Sequence, residues 1–128
     1  MSETNKPSNS KTILVVEDNE MNLKLFKVVL RKLPNKLYIA RDGEEAMEKI
    51  KTLDPDVIIL DIGIPKIDGI EIAKWMCKQQ KYKNTPIIAV TAYAMQGDKD
   101  EILQAGCDEY VSKPIDTHKF PETIKKYL

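Results

Sequence analysis

Three uninterrupted apolar runs, at 13–16 (ILVV), 57–60 (VIIL) and 87–90 (IIAV), set the tightest limit on how this chain can fold. Short runs rich in β-branched residues, with no polar residue alternating through them, suit strands buried on both faces, as in a parallel sheet covered by helices. Two weaker strands fit 37–40 (LYIA) and 109–112 (EYVS). Helical patterns lie between them. In 19–33, Leu25, Phe26, Val29, Leu30 and Leu33 make an apolar stripe, and further helices fit 44–52, 70–80, 96–105 and 116–128. Asn19 is placed to cap the first helix and Pro34 to stop it. Gly106 is placed to end the fourth helix in the left-handed conformation, and Pro121 falls in the first turn of the last. Five β-α units with short, right-handed connections predict a doubly wound α/β fold, a (βα)5 three-layer sandwich with parallel strand order 2-1-3-4-5.

Composition narrows the function. Lys plus Arg and Asp plus Glu both number 20, so there is no excess of cations to hold a nucleic-acid backbone. Cys77 and Cys107 match neither a zinc spacing nor a redox pair and read as two reduced, partly buried thiols. No apolar run approaches the roughly 20 residues of a membrane span. The expectation is a soluble cytoplasmic protein without direct DNA or membrane binding. Residues 1–11, mostly the polar MSETNKPSNS, read as a disordered tail, and 12–128 as the one domain.

The residues that follow the strands carry the chemistry. The first strand runs into Glu17 and Asp18, the third into Asp61, the fourth into Thr91 and the fifth into Lys113 and Pro114. In a parallel sheet these ends share one edge, where ligands sit beside the switch point. Three carboxylates, one hydroxyl and one ammonium therefore converge. Two like charges about 5 Å apart repel by roughly 3 kcal/mol at an effective dielectric near 20, and one lysine does not balance three acids. An all-oxygen set selects a hard dication such as Mg2+. Beside a metal, a carboxylate can act as nucleophile toward a phosphoryl group. Asp61 is the central candidate, with Thr91 and Lys113 binding phosphoryl oxygens and Glu17 and Asp18 holding the metal.

The landmarks ILVVEDN (13–19), DIGIPKIDG (61–69), AVTAYA (89–94) and YVSKPI (110–115) closely resemble, in order and spacing, the receiver domain of two-component response regulators, which has the CheY-like, flavodoxin-like fold. The pattern is most similar to stand-alone regulators of the DivK type and to receivers attached to hybrid histidine kinases. The resemblance implies that Asp61 is the phosphoacceptor. It implies that Asp18 is a direct Mg2+ ligand, Glu17 an acidic partner acting through water, and the Gly63 backbone carbonyl a further ligand. By the same resemblance Thr91 and Tyr110 form a switch pair, Lys113 binds the phosphoryl group, and the Lys113–Pro114 bond is cis. The small Ala92 leaves room for Thr91 to move. Gly63 departs from the family, which commonly carries a long side chain there. A more open site follows, with phosphoryl lifetime controlled elsewhere, at Tyr93.

Expected partners are a histidine kinase or histidine phosphotransfer protein, docking on Met21, Lys24 and Val28 of the first helix. A downstream protein target would read the face made by the fourth helix, fifth strand and fifth helix. The chain ends with its fifth helix, so no output domain is expected, and the protein is a monomer or a phosphorylation-dependent homodimer. His118 reads as a surface or capping residue and Trp75 as partly buried core. Two other classes fit less well. A flavodoxin-type carrier needs a first loop that cradles phosphate, which Glu17 and Asp18 would repel. An aspartate-nucleophile phosphatase usually has a second aspartate two residues on, where this chain has Gly63. Phosphoryl acceptance, without enzymatic turnover, is the expected activity.

Overall fold

Alternation within three buried strands divides the molecule into two cores. The structure, a computed structural model, describes residues 11–33, 35–64, 68–92 and 96–128. The strands are β1 (Lys11–Val16), β2 (Asn35–Ala40), β3 (Val57–Asp61), β4 (Ile87–Thr91) and β5 (Glu109–Ser112). They form one parallel sheet in the order β2-β1-β3-β4-β5, the order expected from the sequence. The helices are α1 (Glu20–Leu30), α2 (Gly43–Leu53), α3 (Gly69–Cys77), α4 (Gln96–Gln104) and α5 (Lys119–Lys125). Ile13, Val15, Val57, Ile59, Ile88 and Val90 point to the face covered by α1 and α5, where Phe26 and Phe120 meet with ring centroids 5.5 Å apart. Leu14, Val16, Ile58, Leu60, Ile87 and Ala89 point to the other face, packed by α2, α3 and α4. Each strand thus feeds both cores, which is why its sequence is continuously apolar rather than alternating.

Several boundaries differ from expectation, each for a local reason. β1 begins at Lys11, one residue inside the expected tail. Asn19 caps α1, its side chain accepting from the Asn22 N–H, but the helix closes at Leu30, ahead of Pro34. Leu23 joins the buried stripe, while Leu25 and Leu33 are only half-buried. α3 starts one residue early because Asp68 caps it, and it stops at Cys77, before a short 3-10 turn at Gln80–Tyr82. α5 begins at Lys119 rather than 116: Asp116 Oδ1 accepts from the N–H groups of His118 and Lys119 at 2.8 and 3.0 Å, so 116–118 form the entry to the helix. His118 is exposed and makes no side-chain cap bond. Trp75 is half-buried against the core, 5.5 Å from Tyr82. Residues 1–10, Pro34 and Tyr93 lie outside the described residues. Among the described residues no helix is long and apolar enough to cross a membrane.

The two thiols are not alike, contrary to the expectation of two partly buried groups. Cys77 is exposed, whereas Cys107 is buried, and that burial pushes its thiol up to about 12. Gly106 connects them. Its φ of +112° is a conformation that a side chain rarely adopts, and a Cβ there would stand 1.8 Å from Cys77 Sγ. Gly106→Ala is therefore expected to lose about 1–3 kcal/mol of stability in denaturant titration. Adding Cys77→Ala should restore the steric share and leave the backbone share.

Candidate functional site

The register of the sheet forces two acids together. β1 and β3 pair Val15 with Ile59 and Val16 with Leu60, so one step beyond the ladder Glu17 stands opposite Asp61. Both follow the face of Val15 and Ile59, toward α1 and α5. Glu17 is fully buried, its N–H bonded to the Ala40 carbonyl at 2.9 Å, and Asp61 is 6% exposed. Asp18 is exposed beside them. Carboxylate oxygens of Glu17, Asp18 and Asp61 lie within 4.8 Å of one another. At that separation each pair of full charges repels by about 3–4 kcal/mol at an effective dielectric near 20.

Lys113 answers part of this repulsion. It follows β5, two strands from Asp61, and its N–H is fixed to the Thr91 carbonyl at 2.8 Å. Its Nζ donates to Asp61 Oδ2 at 3.0 Å and lies 3.4 Å from Glu17 Oε1. Burial alone would lower the Lys113 pKa, but the Asp61 hydrogen bond and the charges of Asp61 and Glu17 outweigh it and hold the pKa above its ordinary value. Asp61 Oδ1 accepts from the Gly63 N–H at 3.0 Å, so both Asp61 oxygens are held. Glu17 Oε2 accepts from the Asn19 N–H at 3.1 Å, while Oε1 has the Lys113 ion pair without a hydrogen bond. Burial first, and the Asp61 charge second, raise the Glu17 pKa.

These side chains line one cleft of about 640 Å³, which Thr91, Ala92, Gly63 and the first turn of α1 also border. The structure thus brings together Glu17, Asp18, Asp61, Thr91 and Lys113, all expected from the strand ends. Thr91 is buried at the end of β4, and the Lys113–Pro114 bond is cis. Tyr110 stands opposite Ala89 on β4, half-buried on the sheet face that Thr91 also follows, and does not border the cleft. Met21, Lys24 and Val28 are exposed on α1, Met21 at 72%. Among the described residues, a Cβ at Gly63 would approach only Asp61 Oδ1, at 3.9 Å. The oxygen-only donor set, with a buried Glu17 oxygen lacking a hydrogen bond, fits a hard dication held by Glu17, Asp18 and Asp61. Sequence reasoning missed Gly69, which packs against the backbone of Asp61 and Ile62.

A carboxyl whose folded pKa exceeds its unfolded value supports the fold when protonated. For Glu17 that support is complete below the ordinary value of 4.5 and is lost as pH rises through the raised one. With chelator present, Glu17→Gln is therefore expected to raise Tm at neutral pH, the gap between variant and parent closing as pH falls toward 4.5. Thermal melts across pH check the sign.

Comparisons with known proteins agree with this geometry. The sequence profile described as the response regulator receiver domain matches residues 13–125. The polar-differentiation response regulator DivK of Brucella ovis is 42% identical over 119 residues, covering 93% of this chain and 97% of the relative. Among solved structures, the receiver domain of the sensor histidine kinase PA1611 from Pseudomonas aeruginosa, with a magnesium ion coordinated in its active-site cleft, superposes with a TM-score of 0.83. It is 31% identical and covers 92% of this chain and 97% of its own. The chemotaxis response regulator CheY4 of Vibrio cholerae superposes with a TM-score of 0.86 at 28% identity, covering 94% of this chain and 100% of its own.

Proposed function

The chain belongs to the response regulator receiver family, and from that premise we propose that Asp61 accepts a phosphoryl group from a phosphohistidine on a partner protein. The observation that carries the reading is the Asp61 carboxylate at the floor of the cleft, oriented by Lys113 and the Gly63 N–H. An Asp61 oxygen attacks phosphorus, and the P–N bond to the donor imidazole breaks. The electron pair leaves with the imidazole nitrogen, which then takes a proton from water. Asp61 becomes an aspartyl phosphate, and Lys113, no longer facing a free carboxylate, turns to a phosphoryl oxygen. Mg2+ held by Glu17, Asp18, Asp61 and the Gly63 carbonyl would supply charge neutralisation for the transferring oxygens. The chain is a signalling domain that takes one phosphoryl group per molecule rather than turning substrate over.

The new group brings a charge of about −1.5 to −2 and strong acceptor oxygens. Thr91 borders the cleft and moves inward to donate its hydroxyl. Tyr110, which shares its sheet face one strand away, then turns into the vacated space. The surface of α4, β5 and α5 changes with it and is read by a target protein, or the phosphoryl group passes onward. DivK, at 42% identity, supports such a role in protein-to-protein signalling. A histidine kinase or phosphotransfer protein docks on the exposed Met21, Lys24 and Val28 of α1.

Incubation with acetyl phosphate and Mg2+ is expected to add one phosphoryl equivalent by intact mass spectrometry, and none to Asp61→Asn. Continued phosphate release beyond one equivalent would favour a phosphatase instead. Met21→Asp should abolish or strongly slow transfer from a phosphohistidine protein while Tm stays within a degree or two, because Met21 is exposed. Unchanged transfer would remove α1 as the docking face.

A further inference from the structure

We propose that Gly69 is a positioning residue for Asp61: the missing side chain at the start of α3 sets where the acceptor carboxylate stands. A Cβ at Gly69 would lie 2.8 Å from Ile62 Cα, 2.9 Å from the Asp61 carbonyl oxygen and 3.2 Å from the Ile62 carbonyl oxygen. All three are backbone atoms, so no flexible side chain can yield. Ile62 is already held on two sides. Its N–H donates to the Val90 carbonyl at 3.0 Å, and its carbonyl accepts from the Gly69 N–H at 3.2 Å. The next residue, Gly63, donates its N–H to Asp61 Oδ1. A methyl group at position 69 must therefore push the 61–63 backbone, or itself retreat with α3. Either shift changes how the Gly63 N–H and Asp61 stand relative to Lys113, whose backbone N–H is anchored to the end of β4 and whose Nζ bonds Asp61.

The rest of Gly69 does not explain the glycine. It lies at the buried start of α3, where alanine is the better helix former, so in open space Gly69→Ala would stabilise the chain. The steric reading gives the opposite sign. Small displacements of a reacting group slow its chemistry steeply, since a misplacement near 1 Å can remove about a hundredfold.

The proposal rests on the acceptor reading of Asp61, and one experiment separates the two. Phosphorylation by acetyl phosphate is timed at saturating Mg2+ and donor, on protein verified as folded by circular dichroism. Wild type that takes no phosphoryl group removes the acceptor reading itself. Given labelled wild type, Gly69→Ala should be at least tenfold slower, with a lowered Tm and shifted amide resonances of Ile62 and Gly63. Ile50→Val, a core change on the buried face of α2 away from the cleft, should lower Tm while leaving the rate within twofold, which excludes loss of stability as the cause. A rate for Gly69→Ala within twofold of wild type overturns the proposal. If that variant does not fold, Asp68→Ala and Asp68→Asn carry the test. Both remove the same charge, but asparagine keeps the acceptor that Asp68 Oδ1 offers the Ile70 N–H and so keeps α3 seated. Asp68→Ala should be several-fold slower than Asp68→Asn, and equal rates overturn the proposal.

Discussion

A lysine ammonium shared by two carboxylates that the strand register places side by side is the interaction on which the rest of this structure depends. Glu17 and Asp61 face each other one step past the β1–β3 ladder, an arrangement that opposes the sheet wherever both are charged. Lys113 makes it tolerable, reaching both from beyond β4. It can do so because β4 ends in Thr91, whose carbonyl holds the Lys113 N–H. One cation against two buried anions and the nearby exposed Asp18 leaves a deficit of positive charge. That deficit fits the cluster to hold a cation, and burial first, with the Asp61 charge second, keeps the Glu17 carboxyl raised.

The sheet supplies the rigidity that such a site needs. Each of β1, β3 and β4 is buried on both faces, so the strand ends cannot slide or twist without disturbing two cores. Polar groups placed just past those ends inherit that immobility, while their tips remain at a solvent-reached edge. A charge added at Asp61 therefore has few soft responses nearby. The compliant parts lie one strand further out, where β5 is only half-buried and Tyr110 packs against, rather than within, the core.

Much of this was legible in the sequence because it followed from period and order. Continuous apolar runs mark three strands and the weaker run 109–112 a fourth, and the residues that follow them, Glu17, Asp18, Asp61, Thr91 and Lys113, meet in one cleft. What was not legible depended on distances between segments. The apolar stripe of 19–33 takes in Leu25 and Leu33, but Leu23 is buried in their place beside Phe26, Val29 and Leu30, because the helix ends at Leu30 and its azimuth is set by α5 packing through Phe26 and Phe120. The start of α5 was misplaced because Asp116 caps it from outside by a turn whose shape composition does not reveal. Cys77 and Cys107 looked equivalent thirty residues apart, yet one is buried and the other lies against Gly106. Nor could the opposition of Glu17 and Asp61 be deduced before the β1–β3 register was known.

The glycines after β3 make the same point about residue type and physical cause. Gly63 and Gly69 flank one connection, and only Gly63 draws attention in the sequence. At Gly63 an added carbon would meet nothing nearer than 3.9 Å among the described residues, so its absence leaves room beside Asp61. At Gly69 an added carbon would strike backbone at 2.8 Å, so its absence permits α3 to close on the strand that bears the acceptor. One glycine governs what can reach Asp61 and the other governs where Asp61 is. Substitution at the first should act on access of water and donor, and at the second on the geometry of the acceptor itself. Ile62, lying between them, is bonded to both β4 and α3, so the backbone that carries the acceptor is tied directly to the start of α3 and answers to what stands at position 69.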